Sequence, residues 1–358
     1  MIYFFALIAI SSGFVIQDAP SPRIEVPLTG KALVEHINKV QSSWVAEYTE
    51  ISESEKKSKV MDSRYTNPSL EEDDSYVLRN QSILPSIPTT FDARTNWPKC
   101  NSIQMVRDQS NCGSCWAFGA AEVISDRICI QSNGKEQPVI SAEDILTCCG
   151  KSCGNGCQGG QGFEAMKFWT TNGAVTGGGY QGDGCKPYSF APCSNCVESK
   201  TTPSCQSKCQ STYTATNYKG DKHYGTSAYR LDTSSNAVPI IQNEIYQHGP
   251  VEVAYTVYDD FYHYKSGVYH YVTGKDTGGH AVKIIGWGTE KGVNYWLVTN
   301  SWGTSWGNNG FFKIRKGTNE CGIESNVVAG MAKVGNGSGE NSFGFVAGLM
   351  MLIVYYFV

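Results

Sequence analysis

Cys115 stands in Gln109-Ser-Asn-Cys-Gly-Ser-Cys-Trp-Ala-Phe-Gly119, at the start of a stretch, Ser114 to Ile130, in which Phe118, Ala121, Ile124 and Ile128 recur at helical spacing. A helix N-terminus carries partial positive charge and unpaired N–H groups, so a cysteine placed there has a lowered pKa and a reactive thiolate. Cys112, just before the same helix, is better placed as half of a disulfide. A nucleophilic cysteine needs an imidazole to hold or move its proton, and a third group to fix the ring. Of the six histidines, His280 follows Gly278 and Gly279 into an apolar run, and the glycines leave room for a substrate backbone beside the ring. His36 lies near the N-terminus, and His223, His248, His263 and His270 lie among tyrosines, lysines and turn residues that suit surface or packing roles. Asn300, in Tyr295-Trp-Leu-Val-Thr-Asn-Ser-Trp-Gly303, offers an amide to the imidazole N–H, and Trp302 is placed to keep water from that bond. Cys115 has two other readings, a redox pair with Cys112 and a zinc site. The first needs a βαβ setting and the second a closed set of four ligands, and the spacing of Cys and His supplies neither, so no metal or cofactor is expected.

These residues need elements to position them. Leu33, Ile37, Val40, Trp44 and Tyr48 recur at helical spacing, which predicts an amphipathic helix between residues 30 and 50. Residues 50 to 82 are charged and poor in apolar side chains, which reads as an exposed, protease-accessible connector. From Phe91 to Tyr229 lie all but one of the 14 cysteines and one convincing helix, from Ser114 to Ile130, with Glu122, Asp126 and Arg127 on its polar side. After Leu231 the texture changes to the runs Val251 to Val257, His280 to Ile285, Tyr295 to Val298 and Phe311 to Ile314, bounded by glycines, which read as strands. A helix-containing, disulfide-rich half followed by a β-rich half is an α+β arrangement.

With 358 residues, 41% hydrophobic and 17% charged, the composition is that of a globular protein, and no long basic run suggests nucleic-acid binding. So many cysteines behind the apolar segment Met1 to Ile10 point to a signal peptide and the secretory pathway, the alternative being a buried N-terminal strand. Phe343 to Val358 is apolar and free of charge, and follows the Gly/Ser/Asn-rich stretch Gly335 to Ser342. Three readings are open there: a signal replaced by a glycolipid anchor, a short membrane anchor, and a tail packed on the protein. Asn80 and Asn336 match the glycosylation sequon.

The cysteine signature with a following aromatic residue, and the histidine and asparagine far downstream, resemble the papain family of cysteine proteases. Both lie further from Cys115 than the roughly 130–150 residues of the family pattern, which calls for an insertion. One lies between Gly184 and Cys209, and Cys148-Cys-Gly150, Cys157-Gln-Gly-Gly160, Asp221-Lys-His-Tyr224, Gly267-Val-Tyr269 and Cys321-Gly-Ile-Glu324 are further passages similar to cathepsin B. The resemblance implies a two-domain fold, a helical, disulfide-rich left domain and a β-barrel-like right domain with the active-site cleft between them. Together with the apolar start and end, it divides the chain into a signal peptide (1–17), a pro-segment (18–84), the left domain (85–229, insertion 184–209), the right domain (230–334) and a tail (335–358). It implies that Gln109 and the Cys115 N–H form an oxyanion hole, and that Gly159 and Gly160 offer backbone to an extended substrate. Ala254, Ala281 and Asn326 would then line the pocket for the residue two before the cut. The implied disulfides join Cys100 to Cys129, Cys112 to Cys157, Cys148 to Cys205, Cys149 to Cys153, Cys185 to Cys209 and Cys193 to Cys196. Implied partners are protein and peptide substrates and cystatin-like inhibitors, and the implied setting is lysosomal, secreted or cell-surface. A catalytically dead binding relative would have lost its nucleophile, and Cys115 is present. Two departures bear on specificity. Asn326 stands where cathepsin B has an acid, and the insertion reads Pro192-Cys-Ser-Asn-Cys-Val197 where cathepsin B has adjacent histidines, which predicts an endopeptidase unless Lys186 or Lys200 stands in for them.

Overall fold

Helix caps and cysteine staples order the first half of the described chain, and alternating apolar runs order the second. The computed structural model describes residues 28–66, 78–79, 84, 86–193 and 200–335. The expected signal peptide, the apolar tail, Cys196 and the sequon residues Asn80 and Asn336 lie outside them. In chain order come α1 (Gly30–Val40), β1 (Trp44–Ala46), α2 (Glu53–Lys59), β2 (Leu78–Arg79), β3 (Phe91–Asp92) and α3 (Ala93–Asn96). Three helices follow, α4 (Cys115–Gln131), α5 (Ala142–Cys148) and α6 (Gly162–Asn172), then β4 (Gly225–Leu231) and α7 (Ala237–His248). The chain continues through β5 (Val251–Tyr258), β6 (Tyr264–Tyr269), β7 (Asp276–Glu290), β8 (Val293–Thr299), β9 (Phe311–Arg315) and β10 (Asn326–Ala332).

Among the described residues the strands form one mixed sheet, in the order β1-β6-β9-β8-β7-β5-β10-β4-β2, with β3 beside β7. The path is open, and its two outermost strands both come from before residue 80. The helices α4 to α6 with their disulfides, followed by the β-rich remainder, form the α+β, papain-like architecture expected. Disulfides join Cys100 to Cys129, Cys112 to Cys157, Cys148 to Cys205, Cys149 to Cys153 and Cys185 to Cys209. Cys193 is also disulfide-bonded.

Four local expectations need correction. The N-terminal helix stops at Val40, and Trp44 lies in β1, paired with Gly267 of β6. Gln41 ends the helix with an extended backbone, and its Oε1 accepts the Trp44 N–H at 3.1 Å. The supposed connector is ordered from Ser52 to Thr66. Ser52 caps α2 by accepting the Glu55 N–H at 3.1 Å, acidic residues open the helix and lysines close it. The polar side of α4 does not face water. Glu122, Asp126 and Arg127 are buried, with Asp126 bonded to Lys283 at 2.8 Å and Arg127 to Glu244 at 2.9 Å. Finally, α5, α6 and α7 are additional helices; α5 is capped by Ser141, which accepts the Asp144 N–H at 2.9 Å.

Candidate active site

Cys115 is the first residue of α4 and is fully buried. Its sulfur accepts from the backbone N–H groups of Ala281 and Trp116, and Ala281 follows His280 on β7. His280 Nε2 lies 2.7 Å from Asn300 Oδ1, which also accepts the Ser301 N–H at 2.7 Å. The second oxygen contact fixes the amide, so its carbonyl faces the ring and the ring nitrogen there carries the proton. The Trp302 ring lies 4.8 Å from the imidazole and is itself stacked on Tyr262 at 5.3 Å. The packing of α4 on β7, and the pairing of β7 with β8, thus bring the sequence-predicted cysteine, histidine, asparagine and tryptophan to one place.

Gln109 is held at both ends of its amide. Oε1 accepts from Ser301 Oγ at 2.6 Å, and Nε2 donates to Cys112 O at 2.9 Å and to Lys59 O at 3.2 Å. Trp302 Nε1 also donates to Lys59 O, at 3.2 Å. A carbonyl of the N-terminal segment therefore occupies the Gln109 amide, one of the two donors expected to meet a substrate oxyanion.

The same segment continues through the cleft. Met61 and Gly279 exchange N–H to O bonds, both of 2.7 Å, and the Asp62 N–H donates to Gln158 O at 3.0 Å. Gly159, at φ 129°, has no room for a side chain, since a Cβ there would lie 2.6 Å from the Tyr65 ring and 2.9 Å from Met61 Cβ. At Gly160 a Cβ would meet the Trp116 ring at 2.6 Å. Met61 and Tyr65 border a pocket with Gly160, Ala254, Ala281 and Asn326, and Asn326 Nδ2 donates to Thr66 O at 3.1 Å.

Burial sets the protonation of the pair. It pushes the Cys115 thiol up to about 12, against the pull of the Ala281 and Trp116 N–H groups. Burial also pushes His280 down to about 4; its bond to Asn300 opposes this, and the Lys59 charge adds to it. With the segment in place, thiol and imidazole are both neutral from above about pH 4 through neutrality.

Ser301, Gly113 and Glu252 belong to the site and were not singled out from sequence. Gly113 lets Val60 pass, since a Cβ on it would lie 2.5 Å from both Val60 O and Cys157 O. Ser301 adjoins Asn300, and that adjacency is the signal by which it could have been found.

Residues 87–331 match the model of the papain family cysteine proteases. Cathepsin B-like cysteine proteinase 3 of Caenorhabditis elegans is 58% identical, over 100% of this chain and 99% of that protein. A gut-specific cysteine proteinase of the same organism is 54% identical over 92% of this chain and 98% of its own length. The structure of procathepsin B S9 from Trypanosoma congolense superposes with a TM-score of 0.73 at 33% identity, covering 87% of this chain and 100% of that one.

Proposed function

The chain belongs to the papain family of cysteine proteases, and from that premise we propose a cathepsin B-like peptidase, latent until its N-terminal segment is removed, that cuts polypeptides mainly at internal bonds. The observation that carries this reading is Lys59 O seated on the Gln109 amide, beside a Cys115 at a helix start and a His280 held by Asn300 at 2.7 Å. The segment copies a peptide carbonyl at the place where one would be attacked.

Once the segment leaves, water and the helix N-terminus favour the charged pair, and the proton passes from Cys115 to His280. The thiolate attacks the scissile carbonyl, and its oxygen takes the negative charge between Gln109 Nε2 and the Cys115 N–H. His280 protonates the leaving amine as the C–N bond breaks, which leaves a thioester on Cys115. A water deprotonated by His280 then attacks the thioester, the C–S bond breaks, and the acid leaves. Gly279 would hold the substrate backbone where it now holds Met61, and Gly159 and Gly160 would leave that backbone room beside Gln158, which now accepts the Asp62 N–H.

The test is to remove residues up to about 84 and assay peptide hydrolysis. Activity should appear on removal, be blocked by a thiol-directed epoxide, and vanish in Cys115→Ser while folding is kept. Robust hydrolysis by the Cys115→Ser protein would end the assignment. Cystatin-like inhibitors should reach the open cleft. The cysteine-rich chain fits the secretory pathway, and for its apolar tail we favour a glycolipid anchor, so phospholipase treatment should release active protein from membranes.

A further inference from the structure

Asn326, Ala254 and Ala281 form one row across β10, β5 and β7. The next row on the same face, two residues along each strand, is Arg230 on β4, Val328 on β10, Glu252 on β5 and Lys283 on β7. Val328 and Glu252 border the same pocket as Asn326. Arg230 is buried behind it, its guanidinium 4.8 Å from the Phe163 ring. Arg230 Nη1 donates to Asn326 Oδ1 at 2.6 Å, and Nη2 donates to Gln161 Oε1 at 3.4 Å. The carbonyl end of the Asn326 amide is thereby engaged, so its N–H end faces the cleft and donates to Thr66 O at 3.1 Å. A donor stands at the pocket mouth, and a positive charge stands one hydrogen bond behind it.

We propose that Arg230 is a positioning residue that sets the charge preference of this pocket, fixing Asn326 as a donor and disfavouring cationic side chains two residues before the cut. The assignment rests on the peptidase reading above. Glu252 does not offset the guanidinium, because burial holds its carboxyl well above the usual carboxylate range, Glu122 adds to that, and Arg230 only partly opposes it. Lys283, in the same row, is paired with Asp126 at 2.8 Å. One consequence separates this assignment from a simple effect of residue 326. A glutamate placed there would meet the guanidinium and be neutralised, so it would not by itself invite arginine.

The experiment uses the mature enzyme, its concentration set by titration of the active thiol, and substrates that differ only in phenylalanine, citrulline or arginine two residues before the cut. Citrulline keeps the shape of arginine without its charge. In the unsubstituted enzyme citrulline should exceed arginine by about tenfold in kcat/KM, the size of one partly screened charge interaction. Asn326→Glu alone should move the arginine-to-citrulline ratio by less than about threefold, whereas Asn326→Glu with Arg230→Met should raise it about tenfold or more, mainly through KM. Arg230→Lys should keep the original preference. Equal cleavage of citrulline and arginine substrates by the unsubstituted enzyme, or a full gain from Asn326→Glu alone, would overturn the assignment. The citrulline comparison needs no variant, so it decides even if Arg230→Met fails to fold. Absence of any thiol-dependent cleavage of the phenylalanine substrate would instead bring down the peptidase reading, and this assignment with it.

Discussion

A thiol held at about 12 beside an imidazole held at about 4 is a pair of spent partners: neither gives or takes a proton near neutrality. The sign of both shifts is that of burial, which favours the neutral form of each group. Alkylation of Cys115 should therefore be slow in the precursor and rise about tenfold per pH unit between pH 5 and 8, tracking the thiolate fraction of a raised pKa. After removal of the segment it should be fast and nearly level over the same range; matching rates and slopes in the two forms would contradict this. At the same scale, Gln109→Ala should lower kcat by ~10²–10³, the usual cost of an oxyanion donor. Ser301→Ala should lower it by ~10-fold, since it removes one bond that aims the amide. Cys115, His280, Asn300 and Gln109 were legible because scarce side chains stand in distinctive sequence. Gly113 and Ser301 were not, because a missing Cβ and a hydroxyl acquire their roles from what approaches them across the fold.

The N-terminal segment shows how elements escape a reading by period. Apolar spacing extended one helix through Trp44, but Trp44 is better served by pairing with β6, where its ring lies 5.1 Å from Tyr269 and its Nε1 donates to His270 O at 3.1 Å. Charged α2 looked like solvent-exposed chain, yet its charges are its docking contacts. Lys56 bonds Asp259 at 2.8 Å, and Glu53 bonds Lys275 at 2.8 Å. Added as a separate peptide, residues 18–84 should inhibit the mature enzyme, and Trp44→Ala should weaken that inhibition by about two to four orders of magnitude, as loss of a buried aromatic commonly costs ~3–5 kcal/mol. The pH dependence has a definite sign. The lysine bonds hold Glu53 down at about 2, so that contact survives mild acid. His263 accepts the Thr49 N–H at 3.3 Å, and burial pushes its ring down to about 4, with Lys56 adding to this and Asp259 opposing. A ring whose docked pKa is lowered favours docking while neutral, and that contribution is lost as pH falls from about 6.5 towards 4. The inhibition constant of the peptide should rise over that window, and His263→Gln should flatten the rise.

For the whole molecule, alternation and cysteine content were enough to reveal an α+β plan, but not that the segment before residue 80 would supply both outermost strands of the sheet. Such pairing joins residues far apart in sequence, and no local pattern encodes it. The insertion 184–209 is likewise far in sequence from His280 and Asn300. In cathepsin B, which this chain resembles, adjacent histidines of that insertion hold a substrate's terminal carboxylate and so release dipeptides, and this chain has no histidine between His36 and His223. Lys186 is a poor replacement. It is buried, bonded to Asp144 at 3.2 Å and to Thr147 at 2.9 Å, and so is already committed to holding α5. Lys200 is exposed, and its backbone N–H on Asn111 O at 2.8 Å ties it to the segment that leads into α4. Asp108 accepts the Ser110 N–H at 2.7 Å. On the proposed reading, a chain that enters the cleft would meet no fixed partner for its terminal carboxylate among the described residues and would run on past it. One peptide prepared with a free and an amidated C-terminus should therefore be cut at the same internal bonds with kcat/KM values within about threefold, less than a single useful charge contact would give. Efficient removal of dipeptides from the free form alone would assign the missing cation to Lys200, and Lys200→Met would then abolish that activity while leaving internal cleavage in place.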